Sequence, residues 1–266
     1  MKIKGILCAV LLAAVFPASA QDWAKAKLDK SPRRAEWVTV TNGARAVKCW
    51  LVYPDTKDKV PAVVLIHEIF GLSDWARNAG DEMADAGYIA IVPDLLSGMG
   101  PNGGGTSAYP NQNAVTGAVQ GLSNDQVTGD LNAAADYVKA LSQCNGKIEV
   151  GGFCWGGTQS FRFACNRPDL KAAYVFYGTP PAATNMAKIQ CPVYGFYAGV
   201  ADGGTRAVPD TTTKMKEAGK VYEPVIYDGA RHGFMRAGED PGDTTPANKT
   251  AHDQAWTRWK DLLRKI

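Results

Sequence analysis

A chain of 266 residues with 45% hydrophobic and 21% charged content can bury one substantial core, and α/β folds of this length commonly form a single domain. Its 29 basic and 26 acidic residues leave a formal charge of +3, and the Lys and Arg residues are scattered rather than clustered. That balance excludes a partner held by bulk charge, so neither nucleic acid nor an anionic membrane surface is implied.

At the amino terminus, Lys2 and Lys4 precede an apolar run from residue 6 to 16, and Ala18-Ser19-Ala20 precedes Gln21. This is the layout of a cleaved signal peptide over residues 1–20, and the run is shorter than the roughly 18 apolar residues of a spanning helix. Cys8 lies inside the run rather than after it, which argues against a lipoprotein. The expectation is an exported protein, periplasmic or secreted, with no membrane association after cleavage and one domain over residues 21–266. Five cysteines then remain: Cys49, Cys144, Cys154, Cys165 and Cys191. An odd number leaves at least one thiol unpaired, while an oxidising compartment lets disulfides persist. No CxxC or Cys/His cluster has metal-ligand spacing, so no metal and no cofactor are expected.

Residues 36–41 (EWVTVT) and 46–53 (AVKCWLVY) flank Asn42-Gly43 and predict a β-hairpin. The continuous apolar run 62–66 predicts a strand buried on both faces. Leu72, Ala76, Ala79, Met83 and Ala86 have helical spacing, with Gly87 as the cap, and 88–92 is a second buried strand ended by Pro93. From residue 96 to 124 the periodicity fails: Gly98, Gly100, Gly103, Gly104 and Gly105 crowd together and amides follow, which reads as a long Gly-rich lid or insertion loop over about 97–124. Beyond it come a helix carrying Leu131, Ala134, Val138 and Leu141, a strand at 147–151, a helix at about 156–165 and strands at 173–177 and 192–198. A helix at about 211–218, a strand at 222–227 and a last helix with Trp256, Trp259 and Leu263 complete the series. Alternating strands and helices predict an α/β fold, a mostly parallel doubly wound sheet with helices on both faces, whose function lies at the carboxyl ends of its strands.

The strongest chemical signal is Gly152-Phe153-Cys154-Trp155-Gly156-Gly157, where a buried strand turns into a helix. It has the form of the nucleophile elbow G-x-S-x-G of the α/β-hydrolase fold, with cysteine as the nucleophile and glycines relieving crowding on either side. A helix amino terminus favours the thiolate. The base must be His67, His232 or His252. His252 reads as a solvated histidine on the last helix, whereas His232 lies in the loop 228–234, at the carboxyl edge and in the order nucleophile, acid, histidine. Asp202, in the loop after the 192–198 strand, is the acid; Asp210 competes, although its position suits a helix N-cap. The turn His67-Glu68-Ile69-Phe70-Gly71 supplies one oxyanion donor, so the pair would be the backbone N–H groups of Ile69 and Trp155. Glu68 either holds the resting thiol protonated or accepts solvent hydrogen bonds.

The same edge argument separates the cysteines. Cys144 and Cys191 begin sheet regions at the amino edge and Cys165 ends a helix running back towards it, so at least one bridge among these three is feasible, while Cys154 at the opposite edge is excluded from any structural bridge. Cys49 is open to either state.

With these residues in hand, the chain resembles the dienelactone hydrolase family, the carboxymethylenebutenolidases, over most of its length after the leader. The resemblance is carried by Glu68-Ile69-Phe70-Gly71, the Cys154 elbow, Asp202 and His232-Gly233-Phe234. It implies a Cys154, His232 and Asp202 triad, a Glu68 that keeps the resting thiol neutral until substrate displaces it, and Arg236 as a binder of substrate carboxylate. It implies cleavage of a carboxylic ester or enol lactone through a thioester. The family's second arginine, expected a few residues after Pro93-Asp94-Leu95, is missing, because Leu96-Ser97-Gly98-Met99-Gly100 follows. The alternative is a non-catalytic exported protein that captures a small molecule on the same scaffold; the intact triad and glycines speak against it, and the lack of a CxxC partner speaks against a redox role. Nothing in the sequence specifies an oligomeric state.

Overall fold

The structure is a computed structural model and describes residues 21–266; the expected leader lies outside the described residues. Chain order begins with α1 (Asp22–Leu28), the hairpin β1 (Ala35–Asn42) and β2 (Arg45–Val52), then β3 (Val60–Ile66), α2 (Asp74–Asp85) and β4 (Ile89–Pro93). Next come α3 (Gln112–Gln120), α4 (Asn124–Lys139), β5 (Cys144–Phe153), α5 (Trp155–Asn166), β6 (Ala173–Phe176) and α6 (Ala183–Met186). The chain ends with β7 (Val193–Ala198), α7 (Gly203–Glu217), β8 (Tyr222–Tyr227), α8 (Phe234–Ala237) and α9 (Pro246–Leu263).

The eight strands form one sheet in the order β1-β2-β4-β3-β5-β6-β7-β8. The hairpin and its junction with β4 are antiparallel, and every other pairing is parallel. Side chains alternate across the sheet. From β3, Val64 and Ile66 enter the layer under α4, α5 and α7, with Leu131, Phe161 and Met215, while Val63 and Leu65 enter the opposite layer with Trp75, Met83 and Trp259. This is the doubly wound α/β architecture expected. Ile66 pairs with Gly152, Phe153 with Phe176 and Ala198 with Tyr227, so the chain leaves β3, β5, β6, β7 and β8 along one edge.

Several expectations are corrected. Residues 97–124 are not structureless: 3₁₀ turns at Pro101–Gly103 and Thr106–Ala108 lead into α3, which Asn111 caps by accepting from Ala114 N at 3.0 Å. Val115 and Val119 of that helix are buried against Leu96, with Ala118 partly buried beside them, a helical spacing that spans only one turn. Asp94 fastens the base of the segment, accepting from Thr106 N at 2.8 Å and Thr106 Oγ1 at 2.7 Å. Helix α7 starts at Gly203 rather than near Thr211, so Asp210 is no N-cap; it lies inside the helix and pairs with Lys214 at 2.6 Å. All five described cysteines are free thiols, and no bridge joins Cys144, Cys165 and Cys191. Cys144 and Cys191 are instead buried as small hydrophobes in the core, and burial pushes the Cys191 thiol up to about 12.

One buried carboxyl makes stability depend on pH. Glu149, on β5, is 0% exposed; Tyr174 donates to its Oε2 at 2.6 Å, and Oε1 has no partner among the described residues. Burial pushes its carboxyl up to about 7 from an ordinary 4.5. Because the folded value lies above the unfolded one, the stability tied to the neutral form is complete below pH 4.5 and drains away as pH rises through 7, at a cost of about 3 kcal/mol. Glu149→Gln keeps an acceptor for Tyr174 and removes the charge. Its melting temperature should therefore exceed that of the wild type at pH 8 and match it near pH 4.5. Parallel pH profiles for the two proteins would contradict this.

Candidate active site

Gly152 and Gly156 show why the elbow needs its sequence. A Cβ on Gly152 would lie 2.0 Å from the carbonyl oxygen of Gly156, and one on Gly156 would lie 2.3 Å from that of Ile66. With both positions stripped, the turn closes tightly enough to drive Cys154 to φ 57° and ψ −117°, a conformation L-residues rarely hold. Cys154 N donates to Phe176 O at 3.0 Å, which ties the elbow to β6. The thiol projects half-buried from the edge of the sheet, at the amino terminus of α5.

His232 and Asp202 come to this point from two separate loops. Asp202 caps α7, its Oδ1 accepting from Thr205 N at 2.8 Å, and its Oδ2 lies 2.5 Å from His232 Nδ1. A carboxylate there requires the proton on Nδ1, leaving Nε2 for the thiol. The His232 ring also meets the edge of Tyr177, with centroids 4.9 Å apart. The Asp202 hydrogen bond, then the one to Cys154, push the imidazole up to about 10. Burial opposes the ionised form of Asp202, but hydrogen bonds from His232 and Thr205 outweigh it and hold the carboxyl below its ordinary range. The structure therefore brings together Cys154, His232 and Asp202 in the order expected.

Ile69 and Trp155 lie at the same edge, in the turn after β3 and at the start of α5. The N–H of neither takes part in a turn, cap or sheet hydrogen bond among the described residues. Glu68 is 3% exposed and is held by two other side chains: its Oε2 accepts from Arg236 Nε at 2.9 Å and its Oε1 from Tyr177 OH at 3.3 Å. Arg236 stands over the Phe70 ring, 5.0 Å from its centroid. The site contacts of Tyr177 and Phe70 are not legible in the sequence, since an aromatic residue at a strand end or turn has the signature of core packing.

His252 is corrected as well. It is not solvated: its side chain is 13% exposed and lies 3.4 Å from Glu239 and 3.1 Å from Asp253. Ligand atoms of Glu82, Glu239 and His252 fall within 4.8 Å of one another, a grouping invisible in sequence because three distant segments supply it. Lys27 Nζ already sits 2.9 Å from Glu239 and 3.5 Å from Glu82 as the counter-ion. A cavity of about 520 Å³ opens beside this cluster, lined by Lys27, Asp240, Lys249 and His252 and by none of the triad residues.

Comparison with known proteins gives the family and the fold of the chain. The sequence profile of the dienelactone hydrolase family matches residues 47–266. A provisionally named carboxymethylenebutenolidase of Methylorubrum extorquens is 29% identical over 222 residues, spanning 77% of this chain and 72% of that protein. A provisionally named dienelactone hydrolase from Klebsiella pneumoniae shares the fold with a TM-score of 0.75 at 22% identity, over 88% of this chain and 99% of that one. A dienelactone hydrolase-like promiscuous phosphotriesterase from metagenomic libraries gives a TM-score of 0.72 at 25% identity, over 88% and 98% of the two chains.

Proposed function

Because the chain belongs to the dienelactone hydrolase family and is a small-molecule hydrolase, we propose that it is an exported enzyme that cleaves a carboxylic ester or enol lactone through a Cys154 thioester. The observation that carries this reading is the positive φ of Cys154 at an elbow whose thiol meets a histidine already oriented by Asp202. The ester carbonyl enters between the N–H groups of Ile69 and Trp155, which stabilise the oxygen as it gains charge. The thiolate attacks the carbonyl carbon, the tetrahedral intermediate collapses, and the carbon–oxygen bond breaks as His232 hands its proton to the leaving alkoxide or enolate. His232 then takes a proton from water, the hydroxide adds to the thioester, and the acid departs as the carbon–sulfur bond breaks. An intact triad favours this chemistry over non-catalytic capture on the same scaffold.

Arg236 is the binding group for a substrate carboxylate in this reading. Glu68 occupies its guanidinium, so an acidic substrate must exchange places with Glu68, while a neutral ester need not. Export rests on Lys2, Lys4, the apolar run and Ala18-Ser19-Ala20.

One mass-spectrometric experiment tests these points together. Protein recovered from the exported fraction should have the mass of a chain starting at Gln21, and a short pulse of activated ester should add one acyl group on the Cys154 peptide. The same assay with Arg236→Ala should show a raised KM for carboxylate-bearing esters alone. Acylation elsewhere, or none during turnover, would refute the thioester route.

A further inference from the structure

His67 follows β3 directly, has no part in the mechanism above and is 1% exposed. Its Nδ1 lies 2.7 Å from the carbonyl oxygen of Glu68. A carbonyl can only accept, so Nδ1 carries the proton and donates, which leaves Nε2 bare; that atom is buried without a partner among the described residues. Burial lowers the basicity of the ring, consistent with a neutral imidazole that neither supplies nor removes protons during turnover.

The bond to Glu68 has a consequence one atom pair further on. The Glu68 carbonyl and the Ile69 N–H belong to the same planar peptide and point in opposite directions. Holding the oxygen therefore sets the direction of the N–H. Gly71 N donates to the same oxygen at 3.2 Å, so reversing this peptide would break two hydrogen bonds. Donation into the carbonyl also polarises the peptide and strengthens its N–H as a donor. On its other side the imidazole stacks on Trp155, with centroids 5.6 Å apart and planes 14° from parallel. Trp155 bears the second oxyanion N–H, and its neighbour Gly156 approaches the His67 carbonyl so closely that a Cβ would lie 2.4 Å from it.

The geometry points to His67 as a positioning residue that braces both N–H donors of the oxyanion hole, an inference that rests on the proposed hydrolase mechanism. It sets the Ile69 donor through the Glu68 carbonyl, the contact that carries most of the effect, and steadies the Trp155 donor through ring contact. Its effect is on the tetrahedral intermediate, not on the thiol.

Two substitutions separate the two contacts. His67→Phe keeps a stacked ring and loses the Nδ1 donor, while His67→Asn places an amide N–H near the Nδ1 position and loses the stack. On an activated ester, His67→Phe should lower kcat about 10- to 100-fold with KM within about threefold, because a misdirected oxyanion donor penalises the transition state alone. His67→Asn should recover most of that loss. Affinity for a trifluoromethyl ketone, which adds to Cys154 and creates an oxyanion, should fall in proportion to kcat. The rate at which iodoacetamide alkylates Cys154 needs the thiolate but no oxyanion hole, and it should stay within about twofold. Unchanged kcat in His67→Phe, equal losses in both variants, or a parallel fall in alkylation would overturn the assignment to positioning. If the phenylalanine variant is recovered unfolded, His67→Met takes its place in the comparison. Failure of the unaltered protein to hydrolyse any ester would count against the proposed function instead, and ketone affinity across the variants would still decide the role of His67.

Discussion

Cys154→Ala should retain less than about one thousandth of the wild-type kcat on an activated ester, while its melting temperature changes little. The loss is large because no other described thiol can substitute. Cys165 is pushed up to about 11 and Cys191 to about 12 by burial, and Cys144, which begins β5, and Cys191, two residues before β7, lie at the edge of the sheet remote from the catalytic loops. The fold should survive because alanine tolerates a positive φ about as well as cysteine, and the glycines on either side relieve the crowding of the turn. Initial rates and a thermal melt on the same preparation measure both quantities. Residual activity above about a hundredth would place the nucleophile elsewhere and remove the thioester from the mechanism.

The elbow was legible in sequence because its requirements are local. Close approach within one tight turn demands Gly152 and Gly156, a strand before it and a helix after it, and all four can be read from a dozen consecutive residues. Asp202 and His232 were legible by chain order, since the parallel sheet delivers the loops after β7 and β8 to the edge where Cys154 emerges. What escaped depends on contacts between distant segments. The Glu68 carboxylate could be placed at the site but not assigned a partner, because the choice among thiol, Arg236 and Tyr177 is made by side-chain geometry. Tyr177 adopts φ 43° at the end of β6, and nothing in the string Phe176-Tyr177-Gly178 distinguishes that turn from a core strand. Helix α3 hid in a glycine- and amide-rich stretch where Val115, Ala118 and Val119 have helical spacing over a single turn only, and Glu82, Glu239 and His252 meet only after three separate elements pack. Asp210 was misplaced because Pro209 reads as a helix start, whereas α7 is already under way when it reaches that proline.

Asp202→Asn separates the catalytic duty of this residue from its structural one. Asparagine retains a side-chain oxygen for Thr205 N, so the cap on α7 should persist and the protein should fold. What disappears is the carboxylate that orients His232, and kcat should fall by about 10³- to 10⁴-fold. The pH dependence follows from the two shifts. His232 is raised to about 10, so its contribution to stability is complete below its ordinary 6.5 and is lost as pH climbs through 10. Asp202 is depressed, so its contribution is present above its ordinary 3.8 and is lost as pH falls through the lower folded value. The pair therefore stabilises the fold between these limits, and the melting temperature of Asp202→Asn should lie furthest below wild type near pH 5 to 6, with the curves converging above pH 10. His232 is 44% exposed, so solvent screens the pair and the stability difference should be small beside the loss of rate. In the variant the imidazole loses the larger of the two hydrogen bonds that raise it and keeps only the one to Cys154, so it should release its proton at a lower pH than in the wild type, and the pH profile of Cys154 alkylation by iodoacetamide should shift between the two proteins. Wild-type rates in Asp202→Asn would reduce Asp202 to a helix cap and leave His232 to be oriented by Tyr177 alone.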